Sequence, residues 1–504
     1  MIVRDIQHLI VQPEGLTVEY KSAKGGIPQS LWESYSSFAN ADGGIIVLGM
    51  KEKNGLAVPD ELSYEQILTY KKRLWDGLHN KDVVSVCLLS DKDVEETEIN
   101  GSWLLVIRVP RARYDQRPVY LTRNPFGNTF IRNHEGDYHC SDDEVRLMFG
   151  DAESKNLSFD SRILVGFTLN HMDMPTIQAY RSRFRVFNPE HPWSGLDDIE
   201  FLTKIGAYRV DAIKGEEGFT RAGTLMFGKT ESITNPACAP YFFPDLQEWN
   251  IIDRGERWSD RICPDGYWEA NLYQFFMRAF SKLVQQLPVP FKLEGIQRVD
   301  ETPAHKSVRE ALVNALVHTN YRVMGSTLIK IEPGRIIMRN PGRMLVSVQE
   351  YYAGSHSVCR NPILQNMFRF IGYGEKAGSG ADIIAKGWEE NKWQRPVIKE
   401  HFVQPEYTEL VLDLEKLEAN KTTSEGLVEK LGERLGKKLG KKLGENRLRI
   451  LNLIVNDPNI TYAQIADALS ISTTTVEKRI AEMSGVVIQH VGPKKGGHWE
   501  VIED

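Results

Sequence analysis

The sequence has few cysteines, no long apolar run and no excess of positive charge. Its 504 residues include five cysteines, and none forms a CxxC pair or lies beside clustered histidines. This pattern argues against a zinc site or a disulfide framework and is typical of free thiols in a reducing cytoplasm. The first residues lack a basic segment followed by an apolar core, and the apolar runs have the length of strands. We therefore expect no signal peptide and no membrane contact.

The overall charge is mildly negative. The formal net charge is −6, with 41% hydrophobic and 26% charged residues. Bulk electrostatics therefore do not draw this chain to nucleic acid, and any such contact must come from local patches. A chain of this length is too long for a single core, so we expect about three to four domains.

The most informative stretch is residues 302–322, in which apolar residues recur at helical spacing after Pro303. This pattern predicts an amphipathic helix. Glu310 and Asn314 stand four residues apart, so a carboxylate and an amide oxygen lie one turn apart on one face. Such a pair can deprotonate an attacking water and complete the shell of a Mg²⁺ ion. In the alternative interpretation, Ser307 and Glu310 form a capping box at the helix start.

Two downstream segments favour a nucleotide site. Residues 336–342 read IIMRNPG, an apolar strand that ends in a turn. Residues 372–380 read GYGEKAGSG and run into a helical pattern at 381–388. Glycines there can expose consecutive backbone N–H groups at a helix N-terminus, where phosphate binds, and a lysine adds positive charge. The predicted phosphate-binding residues are Gly374, Lys376, Gly378 and Gly380.

This ordered set resembles the ATP-binding α/β sandwich, or Bergerat fold, of the GHKL proteins: DNA gyrase, Hsp90, histidine kinases and MutL. The segments REALVNALVH, NPG, RNP and GEKAGSG are similar to a divergent branch found in transcriptional regulators related to the RecG C-terminus. The resemblance implies ATP and Mg as cofactors, Glu310 as general base and Asn314 as Mg²⁺ ligand. It also implies a lid at about 343–373 that carries Arg360 and Asn361.

One position departs from the GHKL pattern. The wider superfamily has an aspartate before its first glycine box to bind the adenine amino group, whereas this chain has Asn340, followed by Gly342. Asparagine can still form a hydrogen bond with adenine. The substitution nevertheless leaves nucleotide identity and turnover open.

Residues 1–155 predict an α+β domain, with a helix at 32–40 and strands at 45–50, 83–90 and 103–109. The segments ExxxxEYK, FANADGGIIVLGM and FIRNHEGDYHCSDDEV are similar to the nucleic-acid-binding AlbA-like domain of the Schlafen proteins. In Schlafen nucleases, two glutamates five residues apart and a third acid hold the catalytic metal. Glu14 and Glu19 match that spacing, which implies metal binding and RNA cleavage, but Glu52 does not fit well as the third acid.

Two alternatives apply within this domain. Glu19 can simply pair with Lys21 or with an arginine. The arginines between residues 108 and 132 are the only candidate nucleic-acid strip of the domain, and an alternating-charge solvated surface explains them almost equally well.

Residues 156–290 give a mixed α/β pattern. Residues 223–230 read GxxxxGKT, but the apolar interior Leu225-Met-Phe227 favours burial over a phosphate loop. Residues 271–284 predict an amphipathic helix that packs against the ATP-binding domain. Residues 406–414 predict an edge strand.

The C-terminal region begins with a Leu-Gly repeat at 431–444, which indicates a connector helix and a homo-oligomer. Residues 446–504 resemble a winged helix-turn-helix of transcription factors. Thr474, Lys478 and Arg479 would face the major groove of DNA, with Lys494 and Lys495 on phosphate. A winged helix used for protein contact is the alternative.

Together these patterns predict an α+β multidomain protein. The domains are an AlbA-like domain at 1–155, a middle region at 156–290, an ATP-binding domain at 291–415, a connector at 420–445 and a winged helix at 446–504. The first functional hypothesis is a cytoplasmic, ATP-binding regulator of transcription that binds DNA or RNA. The alternatives are an ATP-gated, metal-dependent endoribonuclease, in phage defence for example, and a non-catalytic nucleotide sensor.

Overall fold

The structure is a computed structural model of the chain. It describes residues 15–53, 56–133, 136–249, 258–287, 293–294, 297–298, 302–354, 358–374, 380–402, 405–415, 449–451, 453–454, 460–469, 472–484, 487–491 and 498–502. Several predictions fall outside these ranges. They are the roles of Glu14, Lys376, Gly378, Lys494 and Lys495, and the connector at 420–445.

The helices are α1 (Ser30–Asn40), α2 (Tyr64–Leu78), α3 (Asp142–Glu153), α4 (Met174–Phe187), α5 (Asp198–Lys204), α6 (Arg221–Phe227), α7 (Thr230–Ile233), α8 (Leu272–Val284), α9 (Pro303–His318), α10 (Val348–Ala353), α11 (Pro362–Phe370), α12 (Gly380–Glu390), α13 (Tyr462–Leu469) and α14 (Thr473–Met483).

The strands are β1 (Val18–Lys21), β2 (Gly44–Leu48), β3 (Met50–Lys53), β4 (Leu56–Pro59), β5 (Val94–Ile99), β6 (Ser102–Val109), β7 (Phe130–Asn133), β8 (Gly136–His139), β9 (Tyr208–Asp211), β10 (Glu216–Phe219), β11 (Asp245–Glu248), β12 (Asp260–Ile262), β13 (Leu293–Glu294), β14 (Gln297–Arg298), β15 (Leu328–Glu332), β16 (Arg335–Pro341), β17 (Val397–His401), β18 (Tyr407–Asp413), β19 (Ile488–Val491) and β20 (His498–Val501).

The N-terminal region folds around a four-stranded sheet in the order β1-β2-β6-β5, in which β1 and β2 are parallel. The buried side chains of α1 and α2 pack with this sheet in one hydrophobic core. Asn40, at the end of α1, is fully buried and links distant segments through its amide. Its Nδ2 donates to Val119 O and Phe130 O at 2.7 and 2.9 Å. The predicted helix and the strands at 45–50 and 103–109 are confirmed.

The prediction of a strand at residues 83–90 is wrong. This segment contains a single bridge, between Val84 and Leu121. Its backbone instead bonds to loops and side chains, since Leu88 N donates to Tyr35 Oη at 2.8 Å. The apolar residues are there because they fill the core beneath α1, not because they belong to the sheet.

A six-stranded sheet organises the second half of the same compact unit, in the order β12-β11-β15-β16-β18-β17. Strand β18 pairs with β16 on one side and β17 on the other, so the edge strand predicted at 406–414 is an interior strand. Strands β11 and β12 come from the region 156–290, and β11 runs parallel to β15. The sheet therefore crosses the boundary expected near residue 290.

Helix α8 confirms the amphipathic helix predicted at 271–284; Asn271 caps its start. Residues 223–227 of the GxxxxGKT segment lie in α6, whose residues from Ala222 to Phe227 are all buried. A Cβ atom at Gly223 would lie 2.2 Å from Ala207 O, so the segment is part of a close-packed interior. The structure therefore confirms burial.

The chain divides into two compact units, one of residues 1–391 and 395–414 and the other of 392–394 and 415–504. In the second unit, α14 presents Val476, Ile480 and Met483 to a small core that includes Ile488 and Trp499. Strands β19 and β20 form an antiparallel hairpin after α14. Across the ranges described above, no helix has the length and apolar character needed to cross a membrane.

Candidate nucleotide site

Helix α9 carries the proposed catalytic pair well inside the helix. It begins at Pro303, and the cap is formed by Thr302 with His305. Ser307 Oγ instead donates to Pro303 O and Ile383 O at 3.0 and 2.7 Å. The capping-box interpretation of Ser307 and Glu310 is therefore wrong, and Glu310 is a buried residue of the second turn, 7% exposed.

The start of α12 lies directly against Glu310 and Asn314. A Cβ atom at Gly380 would be 2.7 Å from Glu310 Oε1 and 3.0 Å from Asn314 Nδ2. Further along, a Cβ atom at Gly387 would be 2.0 Å from Ser307 Oγ, so α9 and α12 are in close contact along their length. Gly380 thus brings the N-terminal end of α12 to the carboxylate and amide, and Gly387 lets the next turns pack against Ser307.

A cavity of about 130 Å³ opens where α9, α12 and the sheet meet. Five of the predicted residues line it: Glu310, Asn314, Asn340, Arg360 and Gly380. Apolar side chains, including Met338, Ile384 and Leu410, form much of the remaining wall. A concave site with an apolar wall and a few convergent polar groups is typical of a small-ligand pocket.

His318 also lines this cavity, and the sequence interpretation missed it. It follows Asn314 by four residues, so Glu310, Asn314 and His318 form one stripe on α9. Continuing the four-residue spacing of ExxxN would have found it. Burial lowers the pKa of His318 to about 4, with a further contribution from Arg360, so its imidazole is neutral near pH 7.

The turn after β16 shows why Gly342 is needed. Its φ is +95°, and a Cβ atom there would lie 2.7 Å from Asn320 Cβ. The turn is anchored on both sides, since Asn320 N donates to Pro341 O and Thr408 Oγ1 donates to Gly342 O. Gly342 therefore shapes the turn that holds Asn340 in the cavity wall, but it does not itself line the cavity.

The second part of the lid expected at 343–373 is fixed in the protein core. Helix α11 is anchored in the core: Leu364, Met367 and Phe368 are fully buried. Asp160 accepts hydrogen bonds from Ile363 N and Leu364 N at 2.8 and 3.0 Å, and so caps the helix. The lid interpretation therefore applies at most to the segment before residue 360.

Two other predicted residues lie outside the cavity wall. Asn361 Nδ2 donates to Val317 O and Thr319 O at 2.9 and 2.8 Å, so Asn361 joins α11 to the end of α9. Gly374 lies near the backbone of Arg369. Arg360 does line the cavity, and its guanidinium also forms an ion pair with Asp151.

The structure places Glu19 in an ion-pair network. Its carboxylate lies 2.7 Å from Arg132 Nη2 and 2.7 Å from Lys21 Nζ. Within the described ranges, no three acidic, histidine or cysteine side chains converge as a metal site would require. Glu19 thus has the pairing that the sequence offered as an alternative to a metal role.

The arginine strip of the N-terminal region is largely neutralised. Arg117 is buried. The other five pair as Arg108–Glu95, Arg111–Glu400, Arg113–Asp115, Arg123–Asp82 and Arg132–Glu19. Only Arg113 and Arg123 of these six have well-exposed side chains, at 66% and 81%. The strip therefore offers little free positive charge to a nucleic acid.

Helix α14 carries the described residues that were predicted to contact DNA. Ser472 caps its start. Thr474 and Lys478 are exposed and four residues apart, whereas Arg479 is half-buried. The two exposed side chains therefore share one face, opposite the core residues.

Comparisons with known proteins agree with this organisation. Family models match residues 14–141 ("Schlafen, AlbA_2"), 146–245 ("Domain of unknown function (DUF8451)"), 326–406 ("Putative ATP-dependent DNA helicase recG C-terminal") and 443–484 ("Winged helix-turn-helix DNA-binding"). The third match begins after the helix that carries Glu310 and Asn314. The chain is thus a multidomain α+β protein with an AlbA-like domain, a domain similar to the recG C-terminal family and a winged helix.

Two solved structures are similar. The DIP2311 protein from Corynebacterium diphtheriae is 19% identical, with a TM-score of 0.40 over 96% of this chain and 92% of that chain. The N-terminal domain of a "Putative ATP-dependent DNA Helicase RecG-related Protein" from Nitrosomonas europaea is 23% identical, with a TM-score of 0.21 over 27% of this chain and 89% of that chain. No curated protein matches the chain.

Proposed function

We propose that this chain is a cytoplasmic, ATP-binding and DNA-binding regulator of transcription, in which Mg²⁺-ATP in the α9–α12 cavity controls conformation or assembly. The observation that carries the proposal is the convergence of Glu310, Asn314, Asn340 and Gly380 on one cavity. The "recG C-terminal" match over 326–406 supports ATP as the ligand, and the winged-helix match supports DNA.

The cavity residues fit a nucleotide with Mg²⁺. The absence of a side chain at Gly380 lets the start of α12 pack directly against Glu310 and Asn314. The amide oxygen of Asn314 can coordinate a hard cation such as Mg²⁺. The N–H groups at the start of α12 can donate hydrogen bonds to phosphate oxygens. Asn340 offers its amide to the edge of a base, and the Glu310 carboxylate can orient a water and accept its proton. The bound Mg²⁺-ATP would supply the phosphoanhydride bond and the charge-neutralising cation.

Calorimetric titration with ATP and Mg²⁺ tests this assignment. We expect Asn314→Ala to lose the Mg²⁺-dependent part of the affinity, because the cation loses a protein ligand. We expect Glu310→Gln to keep binding but to lose any ATP hydrolysis, because the amide cannot accept the proton. The absence of ATP binding by the unmodified chain would remove the proposal.

The connector at 420–445 is our candidate for homo-oligomer formation, because its Leu-Gly repeat offers a stripe of leucines and small residues to a second copy. The eight basic and three acidic side chains of residues 429–449 would instead lie near a bound nucleic acid. Sedimentation with and without Mg²⁺-ATP measures whether the nucleotide changes assembly. The endoribonuclease alternative has the "Schlafen, AlbA_2" match in its favour, and the pairing of Glu19 against it.

A further inference from the structure

Among the residues that the structure describes, three polar contacts join the N-terminal domain to the wall of the nucleotide cavity. Arg111 Nη2 donates to Met344 O at 2.9 Å, and Arg343 Nη1 donates to Asn40 O at 3.0 Å. The third contact joins the Arg360 guanidinium to the Asp151 carboxylate. The three residues on the cavity side, Arg343, Met344 and Arg360, all line the cavity. The N-terminal domain thus supports one wall of the cavity from outside.

The contact through Arg111 is the most completely bonded of the three. Arg111 Nη1 lies 2.6 Å from Glu400 Oε2, and Glu400 Oε1 accepts from Met344 N at 2.8 Å. Arg111 therefore bonds to Met344 O directly, and Glu400 bonds to the N–H of the same residue. One ion pair holds both polar groups of the Met344 main chain.

This ion pair is shielded from solvent, since the side chains of Arg111 and Glu400 are 8% and 3% exposed. Burial alone would raise the pKa of Glu400, but Arg111 and Arg343 bring that pKa below its usual value. A buried carboxylate that loses its cation becomes strongly unfavourable. Without Arg111, we therefore expect Glu400 to release Met344 and turn toward water or Arg343.

We propose that Arg111 is a positioning residue of the nucleotide cavity, acting through Glu400 on the main chain of Met344. The inference rests on the proposed function, because it assigns a role in nucleotide binding. Arg111 does not line the cavity, so its effect on a ligand is indirect, and the hydrogen bonds of Arg111 and Glu400 to Met344 give the direct route. By linkage, nucleotide binding then stabilises the Arg111–Glu400 contact between the two domains as much as that contact favours binding.

The first test needs no nucleotide. Hydrogen exchange of the Met344 amide is measured in the full chain for the unmodified protein, Arg111→Ala, Arg111→Lys and the control Arg113→Ala. Arg113 is two residues away, 66% exposed and paired with Asp115, so it resembles Arg111 in type but not in contacts. We expect faster exchange in Arg111→Ala, an intermediate rate in Arg111→Lys and no change in the control.

The second test is the affinity for Mg²⁺-ATP, measured by calorimetry below the melting temperature of every variant. We expect about tenfold weaker binding in Arg111→Ala, within the usual range of coupling between sites. Arg111→Lys should bind Mg²⁺-ATP more tightly than Arg111→Ala but less tightly than the unmodified chain. Lysine keeps the positive charge but lacks the paired N–H donors of the guanidinium group. Arg113→Ala should bind as the unmodified chain does.

The two proposals fail separately. If the unmodified chain does not bind ATP, the proposed function is overturned, and the inference falls with it. If it binds ATP and Arg111→Ala binds equally well, the inference alone is overturned. Should Arg111→Ala not fold, Arg111→Lys decides, and unchanged affinity with unchanged Met344 exchange in that variant rejects the role of Arg111.

Discussion

Arg132 Nη2 lies 2.7 Å from Glu19 Oε2, and the Arg132 side chain is only 2% exposed. The same guanidinium pairs with Asp137 at 2.9 Å and lies over the Phe38 ring, with 5.0 Å between its central carbon and the ring centroid. Glu19 therefore neutralises a buried cation that helps to join β1, α1 and β7. A carboxylate in that position has a structural role whether or not it can also bind a metal.

This pairing predicts that Glu19→Gln destabilises the N-terminal domain. Removing one partner of a buried ion pair costs about 3 to 5 kcal/mol, and we expect the lower end because Asp137 remains paired with Arg132. Urea unfolding measures the change, with exposed Glu65→Gln as the control. A Glu19→Gln variant of normal stability that loses Mg²⁺- or Mn²⁺-dependent RNA cleavage would instead support the endoribonuclease alternative.

Gly380→Ala should separate nucleotide binding from stability. Alanine favours a helix over glycine by about 1 kcal/mol, so the start of α12 should not be weakened by the change itself. The new Cβ atom would, however, lie 2.7 Å from Glu310 Oε1, which must move. We expect at least about tenfold weaker Mg²⁺-ATP binding, equivalent to 1.4 kcal/mol, with little loss of thermal stability.

The matched control is Gly195→Ala, because a Cβ atom there has no neighbour within 4 Å. Calorimetry of the two variants side by side gives the comparison. Equal ATP affinity in Gly380→Ala and the unmodified chain would show that the phosphate groups do not approach this end of α12.

The sequence predicted the elements of the candidate site better than their assembly. Glu310 and Asn314 could be placed because a four-residue spacing has the same meaning in any helix. Strand β17 was missed because its sequence, VIKEH, is short and lacks a clean alternation of apolar and polar residues. Because β17 pairs with β18 on the side away from β16, the strand predicted at 406–414 is not at the edge of the sheet.

Contacts between distant segments could not be predicted. Nothing local to Asp245–Glu248 indicates that this strand pairs in parallel with Leu328–Glu332, about eighty residues later in the chain. Likewise, residues 83–90 have the composition of a strand, and only the competition for space in the core shows that they form none. The amino-acid composition of a segment indicates whether it is buried, whereas its pairing in a sheet depends on which other strand lies beside it.

His318 predicts a pH dependence of stability. Its pKa is about 4 in the folded chain and about 6.5 when unfolded, so the unfolded state binds the proton first. Above pH 6.5 the imidazole is neutral in both states, and the free energy of unfolding is unaffected by its titration. As the pH falls from 6.5 toward 4, the unfolded state takes up the proton and the free energy of unfolding decreases. We expect about 2 kcal/mol of loss between pH 7 and pH 5 from this residue.

The measurement is urea unfolding of the unmodified chain and His318→Gln at both pH values. The variant should lose about 2 kcal/mol less stability on acidification, because glutamine takes up no proton. His79→Gln, at an exposed position, is the control. An identical pH dependence in His318→Gln and the unmodified chain would mean that the imidazole is not held neutral in the cavity.

Lys478 predicts how the winged helix binds DNA. It is exposed on the outward face of α14, one turn from Thr474. If it contacts a phosphate, Lys478→Ala should weaken binding to all DNA sequences and reduce the slope of log affinity against log salt by about 1. Fluorescence anisotropy at several salt concentrations gives both numbers.

Two comparisons make this result specific. Lys204→Ala removes an exposed lysine from α5, in the other compact unit, and should leave the slope unchanged. Thr474→Ala removes a hydroxyl without a charge, so any loss should appear as altered sequence preference at a constant slope. If Lys478→Ala leaves both affinity and slope intact, α14 does not bind the DNA backbone through this residue. The winged helix would then be better explained as a protein-binding surface, as the small net charge of residues 421–504, with 13 basic and 11 acidic side chains, also allows.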